Sequence, residues 1–509
     1  MSRTRRVIAG ATLGYANMVL TTAAGLWFTP FLLHRIGQQS FGLWAVSAPI
    51  LSYLGLIDFG IISLFQREVA HLLGAAAGDY RSATELPIAT GKVFRLVLLQ
   101  VPILMVASVV VWRCLPSAWA PLRAPLGIVL ASLVVFFPLR ISHALLMGLQ
   151  DLAFIGKLSI VAWLAGFVIS VVMIVLGDGL YALAISWSMN QLIVNVAYFL
   201  RVRFKFRETL PRSLPPLTRR EAKDRLGRGF WIVVAQLASA LLSGGDVLVV
   251  GACMGPAAVA PYTITDKLVT MFNNIPQQLM ASAQPALSEL RAAGDRQKLG
   301  TVCTALTQAV LLASGFIACL VVVVDQGFVD WWTGKSQFAG NGVVIFLVVG
   351  MLLSHWVSST IYTIFSFGYE RLISATSVLN GIVSFGLSIG LTRRFGLAGA
   401  AAATSVGLLF LALPPHLVAI SRETGTAKRA LLGSLWPWGW RFGALIAAAA
   451  FTARLWIPET FMKLVATSIG VTMIYGAIMF PLLMREPLGS YVRPRIALLR
   501  QRFIRKDAS

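Results

Sequence analysis

The chain has 509 residues, 57% of them hydrophobic and only 12% charged, with a mean hydropathy of +0.78. A soluble chain carries about a quarter charged residues, so a water-soluble enzyme is excluded. The formal net charge of +23 invites a nucleic-acid partner, but the basic residues are spread between apolar segments, which argues for no nucleic acid.

An apolar run of about 20 residues crosses a hydrocarbon core about 30 Å thick. In chain order, such runs are expected at 7–33, 41–65, 93–112, 126–147, 152–176 and 180–200. A second set follows at 230–251, 259–279, 301–324, 343–367, 372–391 and 397–420, then two more at 440–456 and 461–483. The first is too long for a signal-peptide core and no small-residue cleavage site follows it, so it is expected to stay in the mature protein. The fold class is all-α integral membrane, with about fourteen spans.

A landmark series recurs along these elements. Gly37, Gly78-Asp79, Gly148 and Gly179-Leu180 return as Gly255, Gly294-Asp295, Gly368 and Gly396-Leu397, at offsets of 216–220 residues. Six spans fall in each copy, and an even number gives both halves one orientation. Parallel repeats of this kind place a transporter's substrate site between two lobes. The expected domains are a first lobe at 1–200, a basic linker at 201–228, a second lobe at 229–421, two added helices at 422–484 and a basic tail at 485–509.

The linker holds Pro211, Pro215 and Pro216, which break helix and leave a coil fit for a hinge. Most of the 43 Lys and Arg fall on one side of the spans. The positive-inside rule then puts both termini in the cytoplasm. Linker and tail would meet anionic phospholipids at the cytoplasmic face, at about 1 kcal/mol per basic residue. Segments 66–86 and 284–300 are expected as short interfacial helices, with Arg67, Arg81, Arg291 and Arg296 toward headgroups. The longest outside loop, 325–341, is too short for a folded domain. The four cysteines and five histidines show no paired ligand spacing, so no metal site is expected.

The opening stretch reads His34-Arg35-Ile36-Gly37-Gln38-Gln39-Ser40-Phe41-Gly42-Leu43-Trp44, followed by Tyr53-Leu54-Gly55-Leu56-Ile57-Asp58-Phe59-Gly60. It resembles bacterial polysaccharide-biosynthesis flippases, the Wzx-like members of the superfamily that also holds the multidrug-extrusion (MATE) antiporters. The likeness lies in the turn with Arg35 and Gly37, the pair Phe41-Gly42 and the Asp58-Phe59-Gly60 motif. Gly396-Leu397-Ala398-Gly399-Ala400-Ala401 resembles the family's Gly- and Ala-rich lead into the twelfth span. The resemblance covers about residues 1–425, and the last two spans match only the fourteen-helix variants. It implies a V-shaped, two-lobe, MATE-like carrier that moves lipid-linked oligosaccharide from the cytoplasmic to the outer leaflet.

Ionisable groups inside spans are costly, about 2.5–3.5 kcal/mol each on insertion scales, and mark function. Lys92 and Arg95 share one helical face in the third span, and Arg140 and His143 share one in the fourth. Lys92 is expected to snorkel to the headgroups. The eighth span carries Asp266, Lys267, Asn273, Asn274, Gln277 and Gln278, with Pro276 inviting a kink that frees a carbonyl. Arg95, Arg140, His143 and Lys267 with the four amides form the candidate translocation cavity. Cations suit a pyrophosphate, and amides both donate to and accept from sugar hydroxyls. Each has a duller reading in snorkelling, ion pairing or interhelical glue. Asp58 and Asp246 are candidate coupling-ion sites, although each lies near a Gly pair where capping would suffice. His355 and Arg441 have no assigned role.

The leading expectation is a flippase working by alternating access in surface-polysaccharide biosynthesis, with polymerase or assembly proteins as partners. No cofactor is expected beyond coupling to membrane potential, H+ or Na+. The alternatives are a multidrug or cation antiporter, which would favour buried acids, and a membrane polymerase or ligase. The latter chemistry needs acid–base groups on a sizeable outside loop. A peptidoglycan-precursor flippase is a close variant of the leading expectation.

Overall fold

The computed structural model describes residues 3–76 and 79–494, apart from some helix side chains. Among the described residues every regular element is helical. Contacts divide the chain into two compact units, Met1–Ala240 with Gly255–Val259, and Leu241–Met254 with Ala260–Ser509.

Unit 1 is built from α1 (Arg3–Gly55), α2 (Ile61–Ala75), α3 (Leu86–Arg113), α4 (Arg123–Phe136), α5 (Arg140–Gly148), α6 (Leu152–Leu176) and α7 (Gly179–Lys205), and it takes the first part of α8 (Arg219–Met254). Unit 2 takes the end of α8 and most of α9 (Pro256–Thr265). It continues with α10 (Lys267–Phe272), α11 (Asn274–Ala292), α12 (Arg296–Trp332), α13 (Asn341–Ser366), α14 (Glu370–Phe395), α15 (Leu397–Gly407) and α16 (Leu413–Thr424). The short α17 (Lys428–Gly433) leads to α18 (Trp436–Leu455) and α19 (Phe461–Leu483). The last two pack on α12 through a core that includes Leu445, Ala449 and Tyr475.

Ten described helices are long and apolar enough to cross a membrane, or eleven if the bent pair Arg219–Leu242 and Gly244–Met254 is one span. One of the ten, Val19–Asp58, contains the non-helical Gly37 and so holds the first two expected spans. The eighth is divided among α9, α10 and α11, and the thirteenth, α18, carries Arg441 and Arg454. Fourteen crossings are compatible with this arrangement. The chain is a multi-pass, all-α membrane protein.

The glycines of the opening motifs have physical reasons. Gly37 sits at φ 78, ψ 164, and its repeat mate Gly255 at φ 90, ψ 163. These conformations are open to glycine and costly for other residues, so both copies turn the chain alike. A Cβ on Gly42 would lie 1.8 Å from the Pro256 carbonyl oxygen, so Phe41-Gly42 is a point of backbone approach. Asp58 Oδ1 accepts from the Gly60 amide at 2.8 Å, closing a turn through Phe59 (φ 49) and Gly60 (φ 66).

One repeat pairing needs correction. Gly368 is left-handed (φ 78), but its counterpart in the first copy is Gln150 (φ 59), not Gly148. Gly148 is there for space, since a Cβ would meet Val69 Cβ at 2.5 Å where α2 crosses α5. Gly179 (φ 51) and Gly396 (φ 63) both take a positive φ, and so does Gly294 (φ 74), whose expected mate Gly78 lies outside the described residues.

Two further expectations shift. The linker is helical at both ends and is irregular only between the short turn Arg207–Thr209 and Thr218, which caps α8 through a reciprocal bond with Glu221. The ninth span does not end at residue 324, because α12 runs on to Trp332 and buries Asp325 within it. The outside loop is correspondingly shorter.

Candidate functional site

In unit 1 the expected cations acquire partners. Lys92, expected to snorkel, has its Nζ 2.5 Å from Glu221 Oε1. Arg95 is exposed, and its Nη1 donates to the Pro215 carbonyl at 3.0 Å. That contact pins the proline segment to α3, where Gly91 offers no Cβ to obstruct Pro215.

Arg140 heads α5, just after Pro138 turns residues 137–139 into a tighter helix. Its Nη2 lies 3.8 Å from Asp58 Oδ2, and its guanidinium stands 5.6 Å from the Phe137 ring. Asp58 is 6% exposed, and a carboxylate so placed needs a compensating charge. The Gln100 amide adds a bond to the Asp58 carbonyl at 3.1 Å. His143 stacks on Tyr198 with ring centroids 5.1 Å apart.

In unit 2, Pro276 rejects the carbonyl four residues earlier, at Phe272, and the helix breaks at Asn273. There His355 Nε2 lies 2.9 Å from the Asn273 carbonyl and 2.8 Å from its Oδ1. The other ring nitrogen meets Ser314 Oγ at 2.8 Å. A histidine that sequence reasoning left unassigned therefore meets the Asn273 carbonyl, one residue on from the carbonyl that Pro276 displaces. Its one signal was an ionisable group within an apolar span. Lys267 has no ion pair within 4 Å among the described residues. The side chains of Asn274, Gln277 and Gln278 lie outside the described residues.

Asp246 Oδ2 accepts from Tyr262 Oη at 2.5 Å, and its Oδ1 accepts from the Val247 amide at 3.0 Å. The Asp266 carboxyl lies within electrostatic range of Asp246 and Asp325. Asp325 is 1% exposed, with no hydrogen bond to either oxygen among the described residues. No group of three His, Cys, Asp or Glu among the described residues is arranged to hold a metal. Arg441, also unassigned, donates to the Pro437 carbonyl at 2.9 Å and covers the Trp440 ring.

Unit 1 thus gathers Asp58 and Arg140, and unit 2 gathers Asn273 with His355.

Residues 91–339 match the family model described as polysaccharide biosynthesis protein. The chain is 21% identical over 501 residues to "Uncharacterized membrane protein EpsK" of Bacillus subtilis (strain 168), covering 91% of this chain and 93% of that one. A solved structure of the lipid II flippase MurJ in an inward closed conformation aligns with a TM-score of 0.65 at 11% identity, over 94% of this chain and 100% of that one. An inward-facing multidrug resistance MATE family transporter of the MOP superfamily aligns at 0.56 and 15% identity, over 78% and 94%. The resemblance carried by the opening motifs therefore holds, and the fold is MATE-like. These two solved structures are of a flippase and a transporter, and at 11% and 15% identity the likeness shows the fold.

Proposed function

We propose that this protein flips a polyprenyl-pyrophosphate-linked oligosaccharide from the cytoplasmic to the outer leaflet of the bacterial inner membrane, by alternating access, for surface-polysaccharide biosynthesis. One observation carries the reading. The middle of the chain matches polysaccharide biosynthesis proteins, while the fold follows a lipid II flippase over 94% of the length. A shared scaffold suited to a large lipid-linked headgroup thus meets a sequence signature of polysaccharide assembly.

The basic linker and tail support cytoplasmic termini through the positive-inside rule. With the cytoplasm negative, outward movement of an anionic headgroup is favoured by about 2.3 kcal/mol per charge per 100 mV crossed. Arg95, Arg140, His143, Lys267 and the amides Asn273, Asn274, Gln277 and Gln278 are proposed to serve the passenger. Asp58 and Asp246 are proposed as sites for H+ or Na+ coupling. Polymerase and assembly proteins would receive the product.

The test is flipping of a lipid-linked oligosaccharide in proteoliposomes, comparing wild type with Arg95→Ala and Arg140→Ala at equal incorporation. Loss in either supports the cationic cleft, and unchanged rates in both remove it. A second reading, cation antiport, is favoured by Asp246, Asp266 and the unpartnered Asp325. Cationic-dye efflux without flipping would establish it instead.

A further inference from the structure

Unit 1 holds a cavity of about 1260 Å³ between α3, α5 and α7, closed on one side by residues 207–214. This exceeds the 300–1,000 Å³ or so of an ordinary small-molecule site. Its lining joins two chemistries: Arg203, near the end of α7, with Arg207 and Arg212 from the segment after it, and apolar side chains that include Phe94, Leu139 and Phe199.

The three arginines are exposed and have no ion pair or hydrogen-bond partner among the described residues. Their neighbours differ. Arg201 and Lys205 share Asp151, Lys92 takes Glu221, and Arg225 makes two bonds to Glu68 at 2.6 and 2.7 Å. Glu208 is the acid among the lining residues, and it lies within range of Arg81. Three guanidinium groups are thus left free beside an apolar chamber.

We infer that this cavity is a binding site for an anionic phospholipid, its phosphate held by Arg203, Arg207 and Arg212 and an acyl chain laid between α3, α5 and α7. Arginine is suited to phosphate because its planar donors engage two oxygens at once. A bare anion would gain nothing from the apolar walls. A saccharide would need many polar groups along the walls, whereas the uncharged polar side chains in the lining are Thr90, whose hydroxyl donates to the Leu86 carbonyl at 2.8 Å, and Ser142. The wall is also built in place, because Gly91 admits Pro211 and Pro215 against α3 and Arg95 holds the Pro215 carbonyl. The inference does not depend on the passenger proposed above, since binding is read without transport.

The experiment places the full chain in phosphatidylcholine nanodiscs and titrates phosphatidylglycerol, reading bound lipid by native mass spectrometry. Each basic residue near a headgroup contributes about fivefold. The R203Q/R207Q/R212Q variant should therefore bind about a hundredfold more weakly. The same charge change at R219Q/R220Q/K223Q should alter binding by less than twofold. If the triple variant does not assemble, Arg207→Gln alone should bind about fivefold more weakly. Equal loss in both triple variants would overturn the site in favour of diffuse attraction. Equal retention of phosphatidylcholine, or displacement by glycerol phosphate or by polyprenyl pyrophosphate, would overturn it in favour of no charge selectivity, a bare-anion site or a passenger site respectively.

Discussion

Arg140 and Asp58 face each other at 3.8 Å in unit 1, joining the fourth expected span to the turn that interrupts the second. Asp58 is also fixed by the Gly60 amide at 2.8 Å, so the arginine meets an acid that is already oriented. The residue that sequence reasoning chose to hold a passenger's phosphate is thus also part of the scaffold.

The pair should show measurable coupling. Asp58→Asn and Arg140→Gln should each lower stability by about 1–2 kcal/mol, between the values for exposed and buried pairs because Arg140 is partly exposed. The double variant should lose less than the sum by at least about 0.5 kcal/mol. Unfolding of purified protein in detergent measures all three; strict additivity would refute the coupling.

Backbone handedness gives a second expectation. Gln150 pays for a left-handed conformation (φ 59) that Gly368 adopts freely in the other copy (φ 78). Gln150→Gly should stabilise by up to about 1 kcal/mol, and Gly368→Ala should destabilise by about the same. Melting temperatures moving the opposite way would reject the equivalence of the two turns.

Space decides a third case. Adding a methyl at Gly148 brings it within 2.5 Å of Val69 Cβ, so Gly148→Ala should cost about 1–3 kcal/mol through overpacking. Val69→Ala in the same chain should recover part of that loss. A Gly148→Ala protein as stable as wild type would show that α2 yields freely.

The turn before α3 should depend on pH. The Arg81 backbone amide, 3.1 Å from Asp79 Oδ1, and then the Ser82 hydroxyl, 2.9 Å from Oδ2, hold the Asp79 carboxyl below its usual range. A depressed acid contributes stability above its unfolded pKa, and that contribution is lost as pH falls through the folded one. Hydrogen exchange at residues 79–85, corrected for intrinsic rates, should therefore show less protection at pH 3 than at pH 6. Asp79→Asn should remove most of that difference, and an unchanged pH response in the variant would assign it elsewhere.

The sequence by itself determined the membrane class, the positions of most spans and the repeat, because hydropathy and left-handed glycines are local properties written residue by residue. Gly37 and Gly255 could be matched before any fold was known, and Pro276 announced the break at Asn273. Gly148 was misread because a glycine required for space looks the same in one dimension as one required for a turn. Only the tertiary structure decided which charges are free. Lys92 finds Glu221 across 129 residues and Asn273 finds His355 across 82, while the Arg203, Arg207 and Arg212 side chains find no partner among the described residues. Such pairings follow from which helix faces pack together, and sequence spacing along one helix says nothing about the helix that arrives opposite.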